Sequence, residues 1–238
     1  MSHALQPLGF SVQLFQRQFE TLQKKEVLPD FAHGLKEQLN FTWFSQGDLI
    51  FQQGVLATEA YFLYQGCVKL ERLAPSGKRL LLELINPVTP LGCCALGGET
   101  RHLVSATALT YSQVGFMPVD RFTDWLQTQP QTMLDCLKLM ARHTLNLYQR
   151  LEQMAYASVR EQLLFTLHSM GQRCAPDERG HVVIPLMAQD MAKWVGTSRE
   201  TVAREFRTLK KQKLLRVGHN RLILLDLPRF EQLVEEFK

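Results

Sequence analysis

Hydrophobic residues follow two different periods along this chain. Over residues 41–119, short apolar segments are separated by glycines at intervals that suit short strands. In one of them, Val68 and Leu70 alternate with Lys69 and Glu71, which is the period of two expected for a half-buried strand. The pattern predicts a compact antiparallel β-barrel or sandwich. Its strand-like segments are LIFQQ, AYFLYQG, CVKLERL, KRLLLELI and YSQVGFM.

The period changes after Pro130, a residue that suits the first turn of a helix. Apolar residues then recur at alternating spacings of four and three over about three heptads. A core helix of a single chain also carries an apolar stripe, but its period drifts toward 3.6, whereas this one stays at 3.5. We therefore predict a helix over 130–157 that pairs with a second copy of the chain. Its contact positions are Met133, Leu137, Met140, Thr144, Leu147, Leu151 and Met154, all apolar except Thr144.

The C-terminal third alternates short helices with strands. Two helices joined by a tight turn at Gly196 and Thr197, and followed by a hairpin across 218–220, are the elements of a winged helix-turn-helix. The predicted order is helix 160–170, loop 171–180, strand HVVIPL, helices 188–195 and 198–213, hairpin strands 214–217 and 221–225, and helix 228–237. The fold class is thus α+β, with an N-terminal extension (1–35), an antiparallel β-roll (36–129), a dimerisation helix (130–157) and a winged helix-turn-helix domain (158–238).

Positive charge is concentrated in one part of the chain. Residues 186–221 hold nine Lys or Arg and three Asp or Glu, a net charge of +6, whereas the whole chain has +4. Concentrated basic charge beside a near-neutral body is the electrostatic footprint of a polyanion-binding module. A solvated helix face is the alternative explanation on charge alone.

Several protein classes find no support in the sequence. The N-terminus lacks a basic region followed by an apolar run, and no segment has the ~18 consecutive apolar residues of a membrane span, so we expect a cytoplasmic protein without a membrane partner. Five cysteines with no CxxC pair fit neither a disulfide framework nor a zinc module. No nucleophile, base and orienting group can be proposed together, so an enzyme is not expected. No metal site is predicted, and we treat as structural His33, His143, His168, His181 and His219.

The segment GTSRETVAREF, residues 196–206, predicts a helix with two chemically different sides. At about 100° per residue, the apolar positions cluster together and the charged ones project away from them. In a helix-turn-helix, the first residues of the second helix enter the major groove of DNA. The apolar side comprises Val202, Phe206 and Leu209, and the charged side Arg199, Glu200, Arg204 and Arg207.

The charged side has the chemistry to read bases. An arginine can fork onto the O6 and N7 atoms of guanine, and a glutamate can accept from the amino group of cytosine. Two structural alternatives exist for Glu200. It could pair with Arg204 in a helical ion pair worth about 0.2–0.5 kcal/mol, or it could return to the helix start in a capping box that begins at Thr197.

From Phe41 to Leu225 the chain resembles the cyclic-AMP receptor protein/FNR family of bacterial transcription regulators. The resemblance lies in GTSRETVAREF and in the order of β-roll, dimer helix and winged helix-turn-helix. It implies a homodimer on double-stranded DNA, with RNA polymerase as a further partner if the protein is an activator. It also implies that Arg199, Glu200 and Arg204 read a TGTGA-like half-site. Contacts to the DNA backbone are expected from Thr197, Ser198, Gln189, Lys193, Arg207, Lys210 and Arg216.

Two departures from the family pattern bear on function. The first helix starts with Met187-Ala188-Gln189-Asp190 where many relatives have Thr/Ser-Arg-Gln-Asp/Glu, so one cap and one phosphate contact are in question. In the family's cyclic-nucleotide cassette a Glu binds the ribose and an Arg the phosphate. Here Cys93 and Val104 take those places, and a buried phosphate without a cation costs several kcal/mol. The expected pocket positions are Cys93, Cys94, Val104, Ser105, Leu147 and Tyr148.

We therefore do not expect conventional cyclic AMP as the effector, and the cofactor is left open. An iron–sulfur cluster lacks its cysteines, because residues 1–66 contain none. Haem would need an axial donor such as His102, Cys93 or Cys94. The residues are also compatible with a redox role for Cys93-Cys94, with an unidentified small ligand, and with a β-roll that binds no ligand. A second hypothesis for the whole chain is a ligand-binding regulatory protein whose helix-turn-helix is a protein-interaction surface.

Overall fold

The N-terminal half of the described chain consists of two four-stranded antiparallel sheets. A computed structural model describes residues 34–237 except 86, 88, 173 and 175. The strand orders are β1-β8-β3-β6 and β2-β7-β4-β5. The strands are β1 (Asn40–Phe44), β2 (Leu49–Phe51), β3 (Glu59–Gln65), β4 (Val68–Leu73), β5 (Arg79–Ile85), β6 (Thr89–Leu91), β7 (Ser105–Ala108) and β8 (Ser112–Pro118).

Alternate residues of these strands fill the space between the two sheets. On β3 and β8, Leu63 pairs with Val114, and both side chains are fully buried. They pack with Phe51 of β2 and Val68 of β4 from the other sheet. The period-two pattern thus produces one apolar core between the sheets, which confirms the predicted antiparallel β-roll.

One strand departs from the predicted alternation. Glu71 was expected on the polar side of β4, but it is buried with 6% of its surface exposed. The pairing of β4 with β5 shifts register between Leu70 and Glu71, and the C-terminal domain covers this part of the strand. The local pattern of β4 could not show this contact, because the residues that bury Glu71 lie about half the chain away.

Two helices follow the β-roll, α1 (Val119–Gln127) and α2 (Pro130–Tyr156). Phe122 of α1 packs against Phe62 and Met117 and closes one end of the β-roll. Helix α2 has Pro130 in its first turn and 27 residues. Among the described residues, no helix combines the length and apolar character that crossing a membrane requires.

The C-terminal part is built around a second apolar core. Its elements are α3 (Val159–Gln172), β9 (Val182–Ile184), α4 (Ala188–Val195), α5 (Arg199–Lys211), β10 (Leu215–Gly218), β11 (Arg221–Leu224) and α6 (Leu227–Glu235). The three strands form an antiparallel sheet in the order β10-β11-β9. Leu167 of α3, Phe206 of α5 and Phe230 of α6 are buried together. Every predicted element of this part is present, with ends that differ by one or two residues.

Four elements had no clear sequence signal. Strands β1, β6 and β7 were not predicted. Strands β6 and β7 have only three and four residues, and β7 buries Ala106 and Ala108 rather than large apolar side chains. Helix α1 lies inside the predicted β-roll domain, at the point where Pro118 ends β8. Predictions on residues 1–33, including His33, lie outside the described residues. The same holds for the side chains of Cys93, Cys94 and His143.

Gly66, in the connection between β3 and β4, provides a test of this packing. Its φ is +95°, and an added Cβ would overlap Ser112 Oγ and lie 2.7 Å from both Ser112 Cα and Tyr111 O. We expect Gly66→Ala to lower the free energy of unfolding by about 3 kcal/mol, because backbone strain and overlap add. Urea unfolding followed by circular dichroism measures the change.

Gly77→Ala is the matched control. Gly77 has a φ of +80° but no atom within 4 Å of the added Cβ, so this variant bears the backbone strain alone, about 1 kcal/mol. Equal losses in the two variants would contradict the close packing around Gly66.

Candidate nucleic-acid interface

Helix α4 begins without the expected hydroxyl cap. Met187 occupies the N-cap position, and the Asp190 carboxylate accepts a hydrogen bond of 3.0 Å from the Met187 backbone N–H. One half of a capping box therefore remains although the Ser or Thr is missing. At the other end Gly196 has a φ of 74°, the left-handed conformation that stops a helix within one residue. This stop determines where α5 can start.

The N-cap of α5 is Ser198 and not Thr197, the first residue of the alternative capping box. The Ser198 hydroxyl oxygen accepts from the Thr201 backbone N–H at 3.1 Å. The Thr197 backbone N–H donates to Ala192 O, so this residue still belongs to the end of α4. The helix therefore begins at Arg199, one residue later than a Thr197 cap would require.

Glu200 lies exposed in the first turn of α5. Hydrogen bonds from its own backbone N–H and from the Ser198 hydroxyl lower the pKa of its carboxyl group. The side chain is thus an ionised acceptor at neutral pH. Among the ion pairs formed by the described residues, none joins Glu200 to Arg204.

Helix α5 has the two sides that the sequence predicted. Its apolar side packs into the C-terminal core, where Val202, Phe206 and Leu209 are each at most 3% exposed. Glu205 is half-buried and pairs with Arg160 of α3 at 3.5 Å, so this acidic group is directed away from solvent. The exposed side chains of the opposite side are Arg199, Glu200, Arg204, Arg207, Lys210 and Lys211.

Most of the residues predicted to contact a DNA backbone are exposed. Exposed members of the set are Ser198, Gln189, Arg207, Lys210 and Arg216, and Thr197 is half-buried. Arg216 lies on β10 of the hairpin, whose two-residue turn contains Asn220 at a φ of 53°. The turn residues His219 and Asn220 are exposed. The hairpin therefore projects as a wing beside α5.

Lys193 is placed differently from the rest of the set. Its Nζ donates to Glu71 Oε1 on β4 at 2.8 Å. Lys69 of β4 lies between two carboxylates, at 3.2 Å from Glu71 Oε2 and 3.4 Å from Asp190 Oδ1. These four side chains form a charge network between the β-roll and α4. Sequence reasoning missed it, since no local pattern links β4 with α4.

The network sets the protonation of Glu71. Burial raises the pKa of this carboxyl group, but the hydrogen bond from Lys193 and the charges of Lys69 and Lys193 outweigh burial and lower the pKa below its usual value. Glu71 is therefore a buried carboxylate that two ammonium groups neutralise.

Arg150 of α2 makes a second connection to α4. Its guanidinium stacks on the Trp194 ring at 4.0 Å and donates to Trp194 O at 3.0 Å. It also donates to Leu81 O at 2.6 Å and to Leu82 O on β5. Burial lowers the pKa of Arg150 to about 10, although the Glu83 carboxylate opposes this shift. Arg150 thus remains charged and joins α2, β5 and α4.

The predicted effector positions lie in three parts of the described chain. Val104 packs against the β-roll core and Ser105 accepts from the Gln53 N–H at 3.0 Å. Leu147 and Tyr148 of α2 are exposed, at 40% and 64%. The backbones of Cys93 and Cys94 begin a 3-10 helix, and their side chains lie outside the described part.

His102, the histidine considered as a haem ligand, is a core residue here. Its ring stacks on Phe51 at 4.1 Å and is 2% exposed. Burial lowers the pKa of the imidazole, which favours its neutral form. Among the described residues, no group of three or more His, Cys, Asp or Glu could hold a metal ion.

The heptad stripe of α2 faces solvent along its whole described length. Exposed fractions are 65% for Leu137 and 62% for Leu151, and Thr144 hydrogen-bonds to Met140 O of its own helix. The remaining heptad side chains are also exposed: Met133, Met140, Leu147 and Met154. In the single chain, this apolar face is exposed to solvent.

Comparison with known proteins matches both halves of the chain. The cyclic nucleotide-binding domain model matches residues 41–129, and the Crp-like helix-turn-helix domain model matches residues 161–233. The transcriptional regulator SdrP of Thermus thermophilus is 28% identical over 195 residues, which cover 81% of this chain and 93% of SdrP. The CRP-like cAMP-activated global transcriptional regulator of Mycobacterium tuberculosis is 25% identical over 205 residues, covering 85% and 92% of the two chains.

A solved structure shows the same fold. The c-di-GMP responsive global regulator CLP of Xanthomonas campestris aligns with a TM-score of 0.72 at 17% identity, over 82% of this chain and 98% of CLP. The order of β-roll, long helix and helix-turn-helix is therefore shared with known regulators.

The lowered pKa of Glu71 predicts how stability depends on pH. A carboxyl group whose pKa is lower in the folded state stabilises the fold above its unfolded pKa of about 4.5 and loses this effect as the pH falls through the folded value. Glu71→Gln mimics the protonated form. The difference in free energy of unfolding between wild type and Glu71→Gln should therefore be largest near neutral pH and shrink in acid. Urea unfolding at a series of pH values measures it, and a difference independent of pH would contradict the ionised network.

Proposed function

Because the chain belongs to the cyclic-AMP receptor protein/FNR family of transcription regulators, we propose that it is a homodimeric, sequence-specific DNA-binding regulator. The observation that carries this proposal is the exposed side of α5. Arg199, Glu200 and Arg204 project from it, while the opposite side is held in the C-terminal core. A rigid helix with its charged side chains outside the core is suited to enter a major groove.

The proposed reading follows from the groups on that side. Arg199 and Arg204 each offer two parallel N–H donors to the O6 and N7 acceptors of guanine. The ionised Glu200 accepts from the amino group of cytosine. These preferences suit a TGTGA-like half-site, which presents two guanines on one strand and two cytosines on the other.

Phosphate contacts are proposed for the residues around α5. Arg207 and Lys210 lie further along the helix, Arg216 lies on the wing, and all three are exposed. Ser198, Thr197 and Gln189 add polar groups at the two helix starts. Such contacts position the protein on the duplex without selecting its sequence.

A second copy of the chain would cover the heptad stripe of α2. When two helices interlock leucine side chains at heptad spacing, the leucines leave water and the helix pair is stabilised. Two recognition helices in a twofold dimer would enter successive major grooves about 34 Å apart on an inverted repeat. We propose that the protein acts on DNA in the bacterial cytoplasm, and that RNA polymerase is a further partner if it activates transcription.

The effector is proposed to differ from conventional cyclic AMP, or to be absent. One relative is cAMP-activated by name and one structural neighbour is described as c-di-GMP responsive, so related proteins differ in their effectors. In this chain Val104 stands at the phosphate-binding position and packs against apolar neighbours. A valine cannot neutralise a phosphate, which supports a different ligand chemistry.

Base selection and two variants test the reading of DNA. Selection from random duplexes should return an inverted repeat with guanine- and cytosine-containing half-sites. Arg204→Ala should weaken binding to the selected site by about 1–3 kcal/mol and relax preference at one position of the half-site, because it removes a bidentate contact. Fluorescence anisotropy with single-base variants of the duplex measures both effects.

Lys210→Ala is the matched control for Arg204→Ala. It removes one positive charge from the same helix, but its contact would be to phosphate, so binding should weaken about equally for all sequences. A uniform loss in both variants, or selection that returns no inverted repeat, would refute the proposed reading.

Leu151→Glu tests the dimer. Placing a charge in the seam should raise the dissociation constant of the dimer at least about 30-fold, equivalent to about 2 kcal/mol. Leu145→Glu is the control, since Leu145 is equally exposed, at 60%, but lies outside the heptad positions. Sedimentation equilibrium measures both. Dissociation of both variants, or of neither, would contradict the assigned seam.

A further inference from the structure

Lys193 is suited to bind either of two partners. Its place on the first helix of the helix-turn-helix, the helix that crosses the DNA backbone, suits a phosphate contact. In the structure its ammonium group instead donates to the Glu71 carboxylate at 2.8 Å. A carboxylate and a phosphate are both oxyanions that bind an ammonium group by a charge-assisted hydrogen bond. An ammonium group held by Glu71 is drawn toward β4 and is partly neutralised, which makes it less available to a phosphate.

The contact is built into a buried site. The side chains of Glu71 and Asp190 are 7% and 5% exposed, and that of Lys69 is 14% exposed. Lys193 is more accessible at 28%, so it is the member of the network that solvent and DNA can reach most easily. Lys69 also contacts Glu71, which therefore keeps a cationic neighbour when Lys193 leaves.

The other contacts of α4 hold it in the same position. Asp190, in its first turn, is bound by Lys69 of β4, and Trp194, in its last turn, is covered by Arg150. Arg150 is also bound to two carbonyl groups of the segment Leu81–Leu82 on β5. Helix α4 is thus attached to the β-roll along its whole length.

We propose that Glu71 is an internal competitor of DNA phosphate for Lys193, so that docking of α4 on β4 lowers the affinity for DNA. The proposal rests on the proposed function. Because Arg199, Glu200 and Arg204 stay exposed in the docked state, the contact changes affinity for all sequences and leaves sequence preference unchanged. The β-roll then acts on DNA binding through one lysine.

The test measures duplex affinity against salt concentration for the full-length protein. Glu71→Gln should bind both the selected site and a scrambled duplex about three- to tenfold more tightly than wild type. The logarithmic salt dependence should become steeper by about 0.9 for each Lys193 that gains a phosphate. Asp124→Asn on α1 is the control, because it adds the same net charge at an exposed position away from α4.

A double variant separates competition for Lys193 from a general effect. In a Lys193→Gln background, Glu71→Gln should change affinity and salt dependence no more than Asp124→Asn does. Glu71→Asp is a milder second variant that keeps the buried charge beside Lys69 and draws it back from Lys193. It should give a smaller gain in affinity, again absent without Lys193. Circular dichroism confirms that each variant is folded.

Each result bears on the proposal. Glu71→Gln and Glu71→Asp binding like Asp124→Asn, or more weakly than wild type, would overturn the competition, and so would an equal gain in the Lys193→Gln background. Those results leave the proposed function intact as long as the wild type binds its selected site. Absence of salt-dependent duplex binding in the wild type would overturn the proposed function and this inference together.

Discussion

Helix α4 is the constraint that connects the two halves of the described chain. One of its sides packs against α5 and the C-terminal core, and the other meets β4, β5 and Arg150. The position of α5 relative to the β-roll therefore depends on α4. Helix α5 follows α4 across the tight turn at Gly196, and both helices pack into the same C-terminal core.

The chemistry of this contact allows it to be broken. Buried ion pairs gain little net stability, since removing their charges from water costs nearly as much as their attraction returns. Glu71, Asp190, Lys69 and Lys193 would all regain hydration if α4 separated from the β-roll. An apolar interface of the same size has no such compensation. The charge network thus holds α4 in one orientation on the β-roll, and separating the two costs little net free energy.

The two halves differ in how much of the family's chemistry they retain. The exposed side of α5 presents Arg199, Glu200 and Arg204 on a helix whose other side cannot leave the core. In the β-roll, Val104 and His102 are packed as core residues, and the expected pocket positions on α2 remain in solvent. This arrangement supports the proposed reading of DNA, and Val104 in the two-sheet β-roll supports the proposal of an effector other than conventional cyclic AMP.

The sequence by itself determined the elements whose side chains repeat with a regular period. The β-roll, the long α2, the two sides of α5 and the wing were predicted in this way, because apolar periodicity is a local property of the chain. Tertiary structure alone decided that α1 closes the β-roll and that Glu71 is buried and binds Lys193. The last pair is separated by 122 residues. Such contacts depend on how folded units pack together, and charged side chains that meet across that distance leave no pattern in their own neighbourhoods.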